Sequence, residues 1–254
     1  QKSGVRTRQL PGVSPLVFSR FLLKKTAFLS LSDMGKALPS YEEIPIACRM
    51  EEVVQTEYKR IEDALVRVLR SDRRAAQKIL SAYLNLLTVY PDQPYDQKLI
   101  LYPDSDVPIV EPENIGDADT FGEKEQKTLE IVKAAIQNGE RALIYTSWVR
   151  TDSQQKLKKL LTDEGYRTEL LTDKNKTTDR EDWVQKKLAA GMQVLITNPS
   201  LVETGLDLNA FTTLVFYSMG YKLFTLRQAS RRSWRINQKA PAVKVYMLYY
   251  EDTM

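Results

Sequence analysis

The chain has 254 residues, 43% apolar and 28% charged, a balance that suits one large globular domain or two small ones with a real core. A single cysteine excludes an internal disulfide and a cysteine-cluster metal site, and the lack of any histidine removes the commonest metal ligand and acid–base group, so chemistry must rest on Arg, Lys, Asp, Glu, Ser and Thr. The net charge of +4 is uneven: residues 1–122 hold 16 basic and 17 acidic side chains and residues 123–254 hold 21 and 16, which makes the second half the candidate for a polyanion partner.

No apolar run reaches the roughly 18 residues of a membrane span, and QKSGVRTRQL at the start lacks the apolar stretch of a signal peptide, so a soluble intracellular chain without membrane contact is expected. In chain order, EEIPIACRM reads as a strand with Cys48 as a small core residue. Val53, Tyr58, Ile61, Leu65 and Leu69 have the spacing of one helix, and a second helix is predicted over Arg74–Leu87. Between Lys98 and Lys124 every charge is acidic, and Pro103, Pro108 and Pro112 break the pattern, which indicates a linker or loose hairpin ending near Gly122. Residues 1–122 are therefore expected to form a mostly helical linker or protrusion region with no chemical signature of its own.

After Gly122 the rhythm changes. A helix (Glu125–Asn138) leads to a strand RALIYTS, a helix DSQQKLKKLLTDEG, a strand YRTELLT, a helix DREDWVQKKLAAG, and strands QVLIT and TLVFY. An arginine-rich helix and a last strand AVKVYMLYY follow. Apolar strands alternating with amphipathic helices predict an α/β fold, a parallel sheet with helices on both faces, over 123–254. Ligands of such sheets gather at the carboxyl ends of the strands, which here end in TSW, LTDK and TNPSLVETGLDL.

The stretch QASRRSWRINQ, Gln228 to Gln238, carries the sharpest signal. On a helix, Gln228, Arg232 and Arg235 fall on one stripe with Arg231 at its edge, while Leu226, Ala229, Ser233, Trp234 and Ile236 face the other way, toward a sheet. From Leu223 to Gln238 there are four arginines, no acid and no lysine. A solvated face would mix signs; arginine is what bidentate recognition of phosphate selects, whether in a nucleic-acid backbone or a nucleotide.

These stretches, in this order, resemble the second RecA-like lobe of a superfamily-two helicase, and more closely a Swi/Snf-type DNA translocase. QASRRSWRINQ resembles that family's motif VI, with Gln228, Arg232, Arg235 and Gln238 all fitting; ETGLDL resembles motif V, and RALIYTSW the strand and turn of motif IV. YRTELLTDKNKTTDREDWV is similar to the following segment, with Arg180 at the family's arginine after the loop. ALPSYEEIPIACRMEEVVQTEYKRI is similar to the stretch linking the two lobes, Gln55 and Tyr58 standing one residue closer together than in that pattern. The chain departs from the family at Val202 and Glu203, where a glycine pair is usual, at Asp207, where asparagine is usual, and at YKL, where Trp-Asn-Pro is usual. No stretch fits G-x-x-x-x-G-K-[ST] and no DExx-type strand is found. A fragment, inactive alone, is expected, with residues 1–122 an inter-lobe region and 123–254 the C-terminal lobe.

The resemblance implies ATP with Mg2+, held mainly by an N-terminal RecA-like lobe missing from this chain. Arg232 and Arg235 would reach the γ-phosphate, Arg235 as the finger, with Gln228 and Gln238 orienting them or sensing the nucleotide; Gly205 and Asp207 would lie on the nucleotide side. Double-stranded DNA is the implied partner, in the bacterial nucleoid or another intracellular DNA compartment, and the fragment is expected to be a monomer. Ser147, Thr172, Thr197 and Asn198 follow strands and could donate to backbone phosphates, with Lys174 and Lys176 adding charge. Trp148 would stack on a base or pack in the core; Thr204 and Asp207 would couple the two sites, Asp207 alternatively serving a turn or cap. Trp183 and Trp234 are assigned to packing. Competing readings are a strand-separating DNA or RNA helicase lobe, a catalytically dead RecA-like scaffold, and a general basic DNA-binding domain.

Overall fold

The computed structural model describes residues 14–28, 38–147, 152–202 and 206–253; the expectations at Trp148, Thr204 and Gly205 lie outside them. The chain divides into two compact units, Gln1–Ala37 and Leu38–Met254. In the first, a single helical turn, α1 (Pro15–Val17), continues through a π-helical turn (Phe18–Leu22) and a 3-10 turn (Leu23–Lys25). The Phe18 and Phe28 rings meet edge-on.

The second unit begins with β1 (Ser40–Cys48), followed by the long helices α2 (Glu52–Ser71) and α3 (Arg73–Val89). Val54, Tyr58, Ile61, Leu65 and Val68 of α2 pack against Ala75, Ile79, Tyr83, Leu86 and Leu87 of α3. Val53, which the sequence spacing placed on that stripe, is exposed; Val54 keeps the register of Tyr58 and Ile61 and takes its place. The helices run antiparallel: Glu113 N–H donates to Glu57 Oε1 near the start of α2 (2.9 Å), and Tyr90, just after α3, donates to the Glu113 carbonyl (3.0 Å). The acidic, proline-broken stretch forms a small antiparallel pair, β2 (Ile100–Leu101) with β3 (Pro108–Val110), as the loose hairpin was expected to.

Beyond it come α4 (Glu123–Gln137), β4 (Ala142–Tyr145), α5 (Ser153–Asp163), β5 (Thr168–Leu171), α6 (Arg180–Ala189), β6 (Val194–Thr197), β7 (Thr213–Phe216), α7 (Leu223–Ser230) and β8 (Ala242–Tyr250). Six strands form one sheet in the order β1-β8-β7-β4-β6-β5, every neighbouring pair parallel. Alternate residues serve opposite faces. Leu143, Tyr145, Leu195, Leu214 and Phe216 pack with Val184 of α6 and Ala229 of α7; Ala142, Ile144, Val194, Ile196 and Val215 pack with Val132 of α4 and Leu157 and Leu161 of α5. Burial on both faces is why these strands read as unbroken apolar runs.

The strand β1 belongs to the same sheet, paired with β8 from Ser40↔Ala242 to Cys48↔Tyr250, so the sheet draws on residues from both sides of position 122. Its Pro45 lacks an N–H and is tolerated because β1 is an edge strand. A buried ionic cluster ties the helical hairpin to this sheet. Lys124 Nζ lies 2.7 Å from Asp92 Oδ1, Lys156 Nζ lies 2.6 Å from Glu125 Oε1, and Tyr217 donates to the same Glu125 oxygen at 2.9 Å. Lys124 also stands over the rings of Tyr217 and Tyr250.

Candidate nucleotide and nucleic-acid interface

Strands β5 and β6 lie on one side of β4 and β7 and β8 on the other, so the winding reverses between β4 and β7, the place where open α/β sheets hold ligands. The loops meeting there are stitched together by their own polar groups. Ser147 N–H donates to Ser218 Oγ (2.8 Å) and Ser147 Oγ to the Ser218 carbonyl (2.9 Å). Asn198 Nδ2 donates to the Thr146 and Ser147 carbonyls (3.1 Å each), while its Oδ1 accepts from Ser200 N–H and the Ser200 hydroxyl. The fully buried Thr197 donates to the Leu171 carbonyl at 3.1 Å.

The sequence expectation that Thr197 and Asn198 donate to phosphate is therefore corrected: burial and internal hydrogen bonds occupy both side chains, which brace neighbouring strand ends instead. Ser147 is half-buried with its hydroxyl engaged. Thr172 keeps a hydroxyl without a partner among the described residues, in a turn closed by Asn175 Oδ1 on its N–H (3.1 Å). Lys174, Lys176 and Ser200 are exposed beside it. Arg180 holds this turn against the β6 loop, donating to the carbonyls of Asn175 (3.2 Å) and Leu201 (3.0 Å).

The arginine segment differs from the sequence expectation in one respect. The helix α7 ends at Ser230, so Gln228 is helical but Arg231, Arg232 and Arg235 lie in the turn that follows. Side-chain bonds to distant backbone outcompete further helical turns. Ser233 Oγ donates to the Leu208 carbonyl (3.0 Å), Gln238 Nε2 to the carbonyls of Asn209 and Ser233 (2.9 Å each), and Trp234 Nε1 to the Pro39 carbonyl (2.8 Å). Gln238 Oε1 accepts from Ala240 N–H, so both polar atoms of this side chain are engaged within the chain. Ala229, Ser233, Leu226 and Trp234 pack inward as expected, but Ile236 is 59% exposed.

Arg232 is half-buried beside Tyr145, whose phenol is pushed far up by burial, against the pull of the Arg232 charge. Arg235, also half-buried, makes a long contact to the Leu206 carbonyl (3.4 Å). Asp207 accepts from Asn209 N–H (3.1 Å), which is the turn role. The exposed Arg231 lies over the Trp234 ring. The sequence reading passed over Tyr221, Lys222, Phe224 and Arg227, all exposed, Phe224 at 73% and Tyr221 at 63%. The available signal was spacing: Phe224 and Arg227 share the helical face of Gln228.

Between Asp207 and Glu251 the chain carries seven basic residues and no acid. That donor set fits a polyphosphate and not a divalent cation; among the described residues no group of three or more His, Cys, Asp or Glu is placed to hold a metal ion.

Residues 123–237 match the model of the helicase conserved C-terminal domain. The fold is similar to the C-terminal part of the Fun30 ATPase domain, at 13% identity and a TM-score of 0.66, covering 85% of this chain and 86% of that one. It is similar to the Sulfolobus solfataricus SWI2/SNF2 ATPase C-terminal domain, at 17% identity and a TM-score of 0.58 over 84% of this chain and 80% of that one. The S. solfataricus SWI2/SNF2 ATPase core in complex with dsDNA is 18% identical with a TM-score of 0.61, covering 84% of this chain, which spans only 41% of that core. No curated protein matches the sequence. Residues 123–237 are thus similar to the helicase conserved C-terminal domain, and the parallel sheet has the RecA-like fold seen in SWI2/SNF2 ATPase C-terminal lobes.

Proposed function

We propose that this chain is the C-terminal motor lobe of an ATP-dependent double-stranded DNA translocase, working with an N-terminal RecA-like lobe that holds most of the nucleotide. The observation that carries the reading is the arginine turn, set beside the strand-end loops of a helicase C-terminal domain with no carboxylate of its own from Leu208 to Tyr250. Arg235 is the finger: its long contact to the Leu206 carbonyl costs little to break when the lobes close. Arg232 supports it, and Gln228, exposed on the last turn of α7, orients the phosphates. Mg2+ belongs with the other lobe. Lys174, Lys176 and Thr172 contact backbone phosphates without reading sequence, which suits a motor that must move along any duplex. The similarity to a core bound to dsDNA favours duplex DNA as the track.

The test is ATP hydrolysis by a full-length protein containing this chain, without nucleic acid and with single-stranded DNA, duplex DNA or RNA. Duplex DNA is expected to stimulate most, and Arg235→Ala to lose on the order of 10³-fold of that rate. A variant within about twofold of wild type would overturn the assignment. A strand-separating helicase is the second reading, favoured by the exposed rings of Tyr221 and Phe224, which offer faces for unpaired bases. Unwinding of a tailed duplex by the full-length protein would establish it.

A further inference from the structure

The tip of the α2–α3 hairpin concentrates charge that the half-chain totals conceal. Arg67, Arg70, Arg73, Arg74 and Lys78 fall within twelve residues that contain one acid, Asp72, in a half of the chain that is otherwise slightly acidic. All five basic side chains are exposed. Lys78 pairs with Asp104, but none of the four arginines has a carboxylate within salt-bridge distance among the described residues. Asp72 neutralises none of them. Its carboxylate caps α3, accepting from Arg74 N–H (2.9 Å) and Ala75 N–H (3.0 Å).

Four guanidinium groups without a carboxylate partner among the described residues, two at the end of α2 and two at the start of α3, repel each other, and a row of phosphates is the partner that relieves the repulsion with bidentate geometry. The tip also stands at the end of a packed hairpin. Behind it the hairpin is packed along its length, and its root is fastened to the loops of the candidate interface: Asp152 N–H donates to Gln93 Oε1 (3.0 Å), and the Thr88 and Tyr221 hydroxyls are 3.5 Å apart. With 17 residues in α3, the tip stands about 25 Å from that root at 1.5 Å per residue, or roughly seven base pairs along a duplex.

We propose that this arginine tip is a second nucleic-acid contact, gripping duplex backbone phosphates beyond the reach of the strand-end loops. It rests on the reading of the lobe as a nucleic-acid motor. The test is binding of the chain to duplex DNA of about 30 base pairs across a salt series. It compares wild type, a variant with Ala at positions 67, 70, 73 and 74, one with Lys at the same four positions, and Lys174→Ala with Lys176→Ala. Thermal unfolding of each variant confirms the fold. With four phosphates released, the slope of log K against log salt is expected to fall by about 3.6 in the Ala variant and to be kept in the Lys variant. A folded Ala variant with the wild-type slope overturns the proposal. If at the same time the Lys174 and Lys176 changes do lower the slope, the motor reading stands without it. Absence of duplex binding by the wild-type chain also overturns the tip, and leaves the motor reading to Arg235→Ala in the full-length protein.

Discussion

Lys124 and Asp92 sit at the joint between hairpin and sheet with side-chain exposures of only 5% and 2%. Burial pushes the Asp92 carboxyl up, and the Lys124 charge beside it only partly offsets this. Such a pair adds little net stability yet is costly to break, because the surviving charge is stranded in the interior. Asp92→Asn is expected to lose about 3–5 kcal/mol in urea unfolding, whereas Asp92→Leu combined with Lys124→Met recovers most of it. Glu57 behaves differently. Burial raises its pKa, but two contacts from Arg60 (2.6 Å each) and the Glu113 N–H outweigh this and hold the carboxyl below its usual range. A depressed folded-state pKa contributes stability that is present above the ordinary value and lost as pH falls through the folded one. Acidification below about pH 4 should therefore weaken the wild-type fold through this group, and Glu57→Gln should remove that part of the acid dependence while lowering stability at neutral pH.

At the scale of the element, α7 and the turn after it show how local pattern and distant contact divide the outcome. Every residue from Gln228 to Arg235 suits a helix by spacing, and the helix stops at Ser230 because Ser233, Trp234 and Gln238 are held by Leu208, Pro39 and Asn209. Those partners lie 25 to 195 residues away, beyond any periodicity. Gln238→Ala removes three bonds and leaves carbonyls half-satisfied. It is expected to cost about 1–3 kcal/mol of thermal stability with the strand and helix content unchanged by circular dichroism. The arginines at the tip of the α2–α3 hairpin are contiguous in sequence, but they are divided between two helices, and only the fold shows that they stand exposed at one end of a packed hairpin.

At the scale of the whole molecule, the proposed role of the arginine turn requires a second lobe that closes on it. The large loss expected for Arg235→Ala therefore belongs to duplex-stimulated hydrolysis by the full-length protein, and on the proposed reading this chain by itself is expected to hydrolyse no ATP, since an arginine without a phosphate cradle positions nothing. What the sequence determined by itself was the alternation of elements. Runs such as ALIY and VLIT are apolar because both faces of the sheet are covered, and the helices keep a 3.6-residue apolar stripe. The concentration of arginine was legible too, four in sixteen residues with no acid, although its proposed direction toward phosphate is a reading of chemistry and not of position. Only the tertiary structure decided which polar groups remain free. Thr197 and Asn198 looked like phosphate donors and Gln238 like a partner of the arginines or the nucleotide, and all three side chains bond to carbonyls of neighbouring loops; Phe224, Arg227 and the hairpin arginines stand exposed. A residue type states what a side chain is able to bond, while burial and the distance to unsatisfied backbone groups determine what it does bond.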